Sequence, residues 1–506
     1  MLAKVFSGTT IGLDGVLIEV EVDVAGRGFP TVTIVGLPSK AVDEAKERVR
    51  TAIVNTSFEM PDSRITVNLA PADIPKVGSS FDLPIAVGVL AASGLVNKEL
   101  LASSVFIGEL SLEGKLRKIP GVISVAMMAR AKKIKNIFLP IENAKEAALI
   151  DNLQIFPLYS LSDLVLHLNT IKLISQYEPV SIEDIASTAL SAFDFADVKG
   201  QEHAKRALEI AAAGFHNVHL KGPPGTGKTM LSRAFPSILP PMTREEMLEV
   251  SRIFSVAGLL SQENLVTYRP YRSPHHTTSR IGLIGGGTNP TPGEITLAHR
   301  GVLFLDEFPE FPRSVLESLR QPIEDGMVTI SRASGSLTFP SRFLLLAASN
   351  PCPCGYLGHP KRHCRCMPGS ILRYKKRLSG PILDRIDLHV DVFPIDEAKL
   401  TEISDGEKSE DVRVRVIKAR KRQHARFTNT KLVANGEMQN TDIKKFCHLT
   451  PEAIELLKQA ISRLSLSARS YFKIIKVAQT IADLSEKNEI EVSFVAEALQ
   501  YRAKEE

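Results

Sequence analysis

The sequence predicts an α/β protein in three parts: a mixed α/β N-terminal domain, an α/β core with a parallel sheet, and a helical C-terminal region. Three observations predict this. GVLIEVEVDVAG (15–26) alternates apolar and polar residues, as a half-buried strand does. VHLKGPPGTGKTML (218–231) reads as an apolar strand, a glycine-rich loop and the start of a helix. From Asp411 onward, apolar residues recur at helical spacing.

The elements follow in order. SKAVDEAKERVRTAIVNT (39–56) has helical periodicity, with Ser39 placed to cap it. RITVNLAP (64–71), VFIGEL (105–110) and NIFLP (136–140) read as further strands. This first domain spans residues 1–168, and the less regular 169–192 reads as a linker. The core spans 193–395. The acidic stretch DEAKLTEISDGEKSED (396–411) opens the last region, 396–506, as a flexible join. Four helical segments follow, beginning with DVRVRVIKARKRQHARF (411–427). There Val412, Val414, Val416 and Ile417 form the apolar side and the arginines and lysines face water.

A chain of 506 residues has room for about three domains. Its apolar content of 44% and charged content of 24% are those of a water-soluble globular protein. No apolar run is long enough to span a bilayer, and the N-terminus lacks the apolar core of a secretion signal. The expected location is the cytoplasm, with no membrane partner. In that compartment clustered cysteines bind metal more often than they form disulfides.

GPPGTGKT (222–229) fits G-x-x-x-x-G-K-T in the strand–loop–helix context the pattern needs. The run Gly222, Pro223, Pro224, Gly225, Thr226, Gly227, Lys228, Thr229 and Met230 is the expected contact surface for a nucleoside triphosphate. The glycines let backbone N–H groups turn toward the phosphates. Lys228 reaches the β and γ phosphates, and the Thr229 hydroxyl ligates Mg²⁺. GVLFLDEF (301–308) is an apolar strand that delivers Asp306 and Glu307 at its end. Asp306 is the second expected Mg²⁺ ligand, and Glu307 the residue that polarises the attacking water.

YRSPHHTTSRIGLIGGG, PGEITLAHRGVLFLDEF, LRQPIEDG, SNPCPCG and SGPILDRID together resemble the magnesium-chelatase-like AAA+ proteins of the YifB/ComM family. The resemblance runs over essentially the whole chain. It implies a hexameric ATPase with a helical lid, acting as a DNA helicase or branch-migration motor in homologous recombination, as members do during natural transformation. It also implies particular site residues. Asn350, ending FLLLAASN, falls on the sensor position. Arg385 in SGPILDRID resembles the arginine finger supplied in trans, and Arg469 in LSARSYFKI the lid-borne second sensor. Arginine suits both positions because its fixed charge matches charge developing on phosphate.

The task of the motor is read from charge. From Gly326 to Leu383 no Asp or Glu occurs in 58 residues, and nine are Arg or Lys. Such a surface attracts a phosphate backbone. MVTISRASGSLTF reads as a hairpin that places Arg332 as a candidate DNA contact; Arg280, Lys361 and Arg362 are others. Single-stranded or branched DNA is the expected partner, with recombination proteins as possible further ones. Two competing readings are a protein unfoldase and a motor subunit of a magnesium chelatase. No aromatic residue lies between Tyr271 and Phe304 to grip polypeptide, which speaks against the first.

Four of the five cysteines, Cys352, Cys354, Cys364 and Cys366, lie within fifteen residues as C-x-C, nine residues, C-x-C. Four thiolates complete a tetrahedral Zn²⁺ shell, and a metal supplies fold energy that a short basic loop lacks. His359 or His363 could replace one of them. Last, PKVGSSFDLPIA resembles the serine segment of Lon-type proteases, with Ser80 on the nucleophile position. The partner lysine position is occupied by Ile123, which cannot accept a proton. The expectation is a Lon-like, S5-type fold that does not cut.

Overall fold

The structure is a computed structural model that describes residues 1–26, 29–76, 78–178, 193–260, 265–287, 290–332, 335–394, 406–430, 432–464 and 466–503. It is a mixed α/β protein that divides into two compact units, Met1–Thr188 with Thr243–Thr267, and Ala189–Met242 with Tyr268–Glu506. Most of the predicted linker (179–192) and most of the acidic join (396–405) lie outside the described residues.

The first unit is built on a seven-stranded mixed sheet in the order 31–35, 64–70, 14–24, 2–11, 104–106, 136–140, 154–158. Strands 2–11 and 14–24 form a long antiparallel hairpin, and the last three strands run parallel. The alternation in 14–24 buries Ile18, Val20 and Val22 on one face. Against this sheet lies the helix Asp82–Ala92, buried at every position. Two expected elements are cut short. The 39–56 helix is divided at Glu44 into Lys40–Asp43 and Ala45–Asn55. Ser39 does cap the first piece, accepting from the Val42 N–H. VFIGEL ends as a core strand at Phe106, and Glu109–Leu110 turns away to pair with Leu116–Arg117.

Sequence reading alone did not find that 243–267, a stretch inside the expected core, folds with the first unit. Its helix Arg244–Val256 is fixed there by Arg252, which donates to Asp14 Oδ1 (2.6 Å) and to the Leu13 carbonyl (2.9 Å).

The second unit contains an all-parallel five-stranded sheet in the order 271–272, 302–305, 344–349, 218–221, 388–391. Both faces are covered, so its strands read as continuous apolar runs. Val302 and Phe304 enter one core cluster, Leu303 and Leu305 the other. The C-terminal helices 409–426, 451–464, 468–484 and 492–500 bury Val412, Val416, Leu457, Ile474, Ile481 and Val495 in the first of these clusters, beside Val218 and Leu220 of the sheet. Val414 was expected on the apolar side of its helix, but it is 49% exposed: at two residues from Val412 and Val416 it points away from both. The charges of that helix are largely paired rather than merely solvated. Arg415 reaches Glu209 (2.5 Å), and Arg426 pairs with the buried Asp483.

Candidate nucleotide and metal sites

The three strands 218–221, 302–305 and 344–349 are neighbours in the sheet and run parallel, so their C-terminal ends open on one edge. Ligands of open parallel sheets bind outside this edge. Gly222–Thr229, Asp306–Glu307 and Asn350 all follow directly on these strand ends.

The loop turns into the helix Lys228–Ala234 through Gly227, whose φ of +87° favours glycine. Lys228 is nearly buried. Its Nζ donates to the carbonyls of Gly222 (2.7 Å) and Pro223 (2.8 Å), and lies 3.3 Å from Asn350 Oδ1. Burial lowers its ammonium to about 8, against the charge of Asp306. The Thr229 hydroxyl donates to Asp306 Oδ2 (3.0 Å), which brings together the two groups that would hold a divalent cation. Asp306 Oδ1 accepts from the Glu307 N–H (2.9 Å), and Glu307 sits in the left-handed region at φ +50° with its side chain half exposed. Pro224 and Met230 lie exposed at the rim.

Residues given no catalytic role from the sequence also contact this site. Gln201 donates to the Thr226 carbonyl (3.1 Å). The Tyr271 hydroxyl bonds Ser232 Oγ (3.1 Å) in the helix after the loop. Tyr374 hydrogen-bonds the Asn350 backbone, and burial pushes its hydroxyl up to about 12. His276 Nδ1 lies 3.1 Å from Glu307 Oε2. No spacing marks these residues, because each arrives from a different element.

Arg385 and Arg469 are brought together away from the glycine-rich loop. Both reach one carboxylate: Arg385 Nη2 is 2.7 Å from Glu324 Oε2, and Arg469 Nη2 donates to Glu324 Oε1 (2.8 Å). They line a cavity of about 930 Å³ together with Phe215, Arg342 and Lys473.

The four cysteine sulfurs lie within 4.8 Å of one another. The resolved contacts are 3.4 Å (Cys352–Cys354), 3.7 Å (Cys352–Cys364) and 3.6 Å (Cys354–Cys364). A tetrahedron of thiolates at about 2.3 Å from Zn²⁺ has edges of about 3.8 Å, so the set fits that ion. Backbone N–H groups of Tyr356 and Arg365 lower the Cys354 thiol to about 6. The Cys366 N–H acts likewise on Cys364, but burial and the adjacent Cys354 push that thiol up to about 12. Four thiolates this close repel one another, and a divalent cation removes the repulsion. Neither histidine joins the cluster: His359 Nδ1 accepts from the N–H groups of Lys361 (3.0 Å) and Arg362 (3.1 Å), closing the loop's turn.

The cysteine loop leans on the glycine-rich loop. Gly355 adopts φ +82°, and a Cβ placed there would lie 2.6 Å from Pro224 Cδ. Of the basic candidates, Arg280 begins the helix Arg280–Ile284 and is exposed, as is Lys361. Arg362 is tied to Tyr356, by a hydrogen bond of 2.8 Å and by its charge over the ring at 5.2 Å. Arg332 ends one strand of the predicted hairpin, Met327–Arg332 with Gly335–Pro340, opposite Gly335; Ala333 and Ser334 at the tip lie outside the described residues. The acid-free window is partly neutralised from outside, since Glu310 takes Arg377 and Glu437 lies 3.6 Å from Arg342. Among the described residues no helix is long and apolar enough to cross a membrane.

Three family models match the chain in succession. "Subunit ChlI of Mg-chelatase" matches 20–143, "Magnesium chelatase, subunit ChlI" matches 194–400, and "Magnesium chelatase, subunit ChlI C-terminal" matches 406–502. Over 508 residues the chain is 44% identical to the competence protein ComM of Haemophilus influenzae, covering 99% of this chain and 97% of that one. It is 42% identical over 503 residues to the uncharacterized protein YifB of Escherichia coli, with the same two coverages. Likeness to the magnesium-chelatase 67 kDa subunit of Heliobacterium mobile is 28% over 193 residues, which is 32% of this chain and 29% of that one.

Proposed function

We propose that this chain, which belongs to the YifB/ComM family of magnesium-chelatase-like proteins, is an ATP-hydrolysing motor that works on DNA. The observation that carries the ATPase reading is the convergence of Lys228, Thr229, Asp306 and Asn350 at one edge of the parallel sheet. Lys228 and the N–H groups of the loop bind the phosphates, and phosphate charge counters the burial that lowers the Lys228 ammonium. Thr229 and Asp306 would hold Mg²⁺, which would neutralise charge on the phosphates. Glu307 accepts hydrogen bonding from the attacking water, and Asn350 senses the terminal phosphate.

Phosphoryl transfer is catalysed by positioning and by charge, and an arginine from a neighbouring subunit commonly completes the site. Arg385 fits that role in a ring, a hexamer by the family pattern, once it leaves Glu324. Arg469 serves as the second sensor on a helical lid. The substrate reading is single-stranded or branched DNA in homologous recombination. It is supported by the basic 326–383 window and by the name of a relative, a competence protein. The cysteine cluster would hold Zn²⁺ and so fix the loop that carries Lys361 and Arg362. The Lon-like first unit has no peptidase activity, and the setting is the cytoplasm.

The test is ATP hydrolysis measured with single-stranded DNA, forked DNA, unfolded casein, or Mg²⁺ with a tetrapyrrole. DNA should raise the rate severalfold, and the effect should fall steeply with salt. Stimulation by casein or tetrapyrrole, and none by DNA, would transfer the protein to the unfoldase or chelatase class.

A further inference from the structure

We infer that His276 is a positioning residue for the Glu307 carboxylate, fixing one of its oxygens so that the other faces the water. This rests on the reading that Glu307 activates that water.

The Glu307 backbone is already fixed. Its N–H donates to Asp306 Oδ1, and its carbonyl accepts from the Glu310 N–H at 2.7 Å. The side chain is another matter. It is 54% exposed, and among the described residues its carboxylate has one polar partner, His276 Nδ1, 3.1 Å from Oε2. The approach is a close ion-pair contact, and because an ionised carboxylate only accepts, the contact is favourable when Nδ1 carries a proton. Oε1 is left to accept from a water.

The imidazole can impose this orientation because it is itself held. It makes a T-shaped contact with buried Phe311, with centroids 6.5 Å apart and planes at 80°. Its centroid also lies 4.1 Å from that of the His275 ring. His275 in turn is locked by its Nδ1, which accepts from the Thr277 hydroxyl (2.9 Å). Water-activating groups lose rate steeply with small displacements, since the reacting atoms must sit within about 3–3.5 Å in line. A half-exposed glutamate without this contact samples several rotamers, and few of them serve.

The test compares His276→Leu, His276→Asn and Glu307→Gln in steady-state ATP hydrolysis, with nucleotide affinity measured separately by a fluorescent ATP analogue. Asparagine offers an amide N–H at the same distance along the side chain as Nδ1; leucine offers none. His276→Leu should lower kcat about a hundredfold. KM and analogue affinity should stay within about twofold, because the contact is made to the reacting group and not to bound phosphate. His276→Asn should recover at least about tenfold of that loss, as a restored donor would. Added to Glu307→Gln, His276→Leu should cost nothing further.

If Glu307→Gln hydrolyses ATP normally, the water-activating reading itself fails. If Glu307→Gln is inactive while His276→Leu keeps or exceeds the wild-type kcat, only the present inference fails, because the imidazole then does nothing or holds Glu307 back. Loss of nucleotide affinity in His276→Leu that asparagine does not repair would mark a purely structural residue, and would also overturn it.

Discussion

Two loop–helix junctions in this chain carry similar residues in opposite states. In the first unit, Lys76, Ser79, Ser80 and Asp82 lead into the helix Asp82–Ala92. In the second, Lys228 and Thr229 open the helix Lys228–Ala234 beside Asp306 and Glu307. At the first junction every charge is sealed. Lys76 is fully buried on the Pro71 carbonyl, and burial lowers its pKa. Asp82, fully buried, accepts from Arg48 (2.8 and 3.0 Å) and from the Leu110 N–H (3.2 Å). At the second, Lys228 is bent back onto its own loop's carbonyls, Thr229 is exposed and Glu307 is half exposed. A charge buried on partners that belong to the fold holds structure together. One held by groups that a ligand can replace is available for chemistry. The comparison assigns function to one junction and architecture to the other.

The sharpest way to break it is at Lys228. Lys228→Ala should abolish ATP binding and all turnover, whereas Glu307→Gln should bind ATP and lose about a thousandfold in kcat. Both are read by analogue binding beside phosphate release. Full turnover in either would dissolve the contrast.

The metal comes next. Elemental analysis should find about one zinc per chain, as four thiolates require. Cys352→Ser with Cys354→Ser should remove it, together with the fold energy a structural metal supplies to its loop. Because Gly355 packs on Pro224, the released loop should also raise KM for ATP, about threefold. Gly355→Ala should raise KM with the zinc retained, which separates the contact from the metal.

A smaller effect tests whether sealed carboxylates in the first unit are indeed structural. Burial raises Glu146 to about 7, against its bond from Asn143 (2.9 Å) and the charge of Lys118. The folded state therefore holds this proton more tightly than the unfolded state, whose value is near 4.5. Stability from this group is complete below about pH 4.5 and is lost as pH rises through about 7, up to about 3 kcal/mol in all. Glu146→Gln should flatten that slope in urea unfolding followed at several pH values. An unchanged slope would show that the carboxyl ionises freely.

How much of this could be read in the sequence depended on distance along the chain. The glycine-rich loop, the Asp306–Glu307 pair and the cysteine spacing carry their chemistry locally, and the structure brings each set together. Glu324, which gathers Arg385 and Arg469, and His276 on Glu307 depend on tertiary contact, for which no spacing exists. The basic window misled in part for the same reason: its acidic partners, Glu310 and Glu437, come from other segments. Residues 243–267 read as part of the core yet fold with the first unit, because helical periodicity names a buried face but not what covers it.

The smallest expected effect is none at all, and it falls on Ser80. The residue falls where the resemblance to a Lon-type segment would put a nucleophile, and it is half buried at the sealed junction. A serine hydroxyl needs a base within hydrogen-bond reach to become a nucleophile. Among the described residues no base bonds its Oγ. The nearby groups are already committed: Lys76 to a carbonyl, Ser79 to Glu109, Asp82 to Arg48. Ile123, at the expected lysine position, is fully buried and has no proton to exchange. Asp82 also stands where a protease would carry a small residue, and moving its carboxylate would leave the Arg48 charge with its partner gone. Ser80→Ala should therefore leave ATP hydrolysis and DNA stimulation at wild-type values. The unaltered protein, incubated with ATP and unfolded casein, should release no peptide. Peptide release that disappears in Ser80→Ala would mean that the first junction opens, that one of its sealed groups becomes a base, and that burial is not the sign of architecture taken from it here.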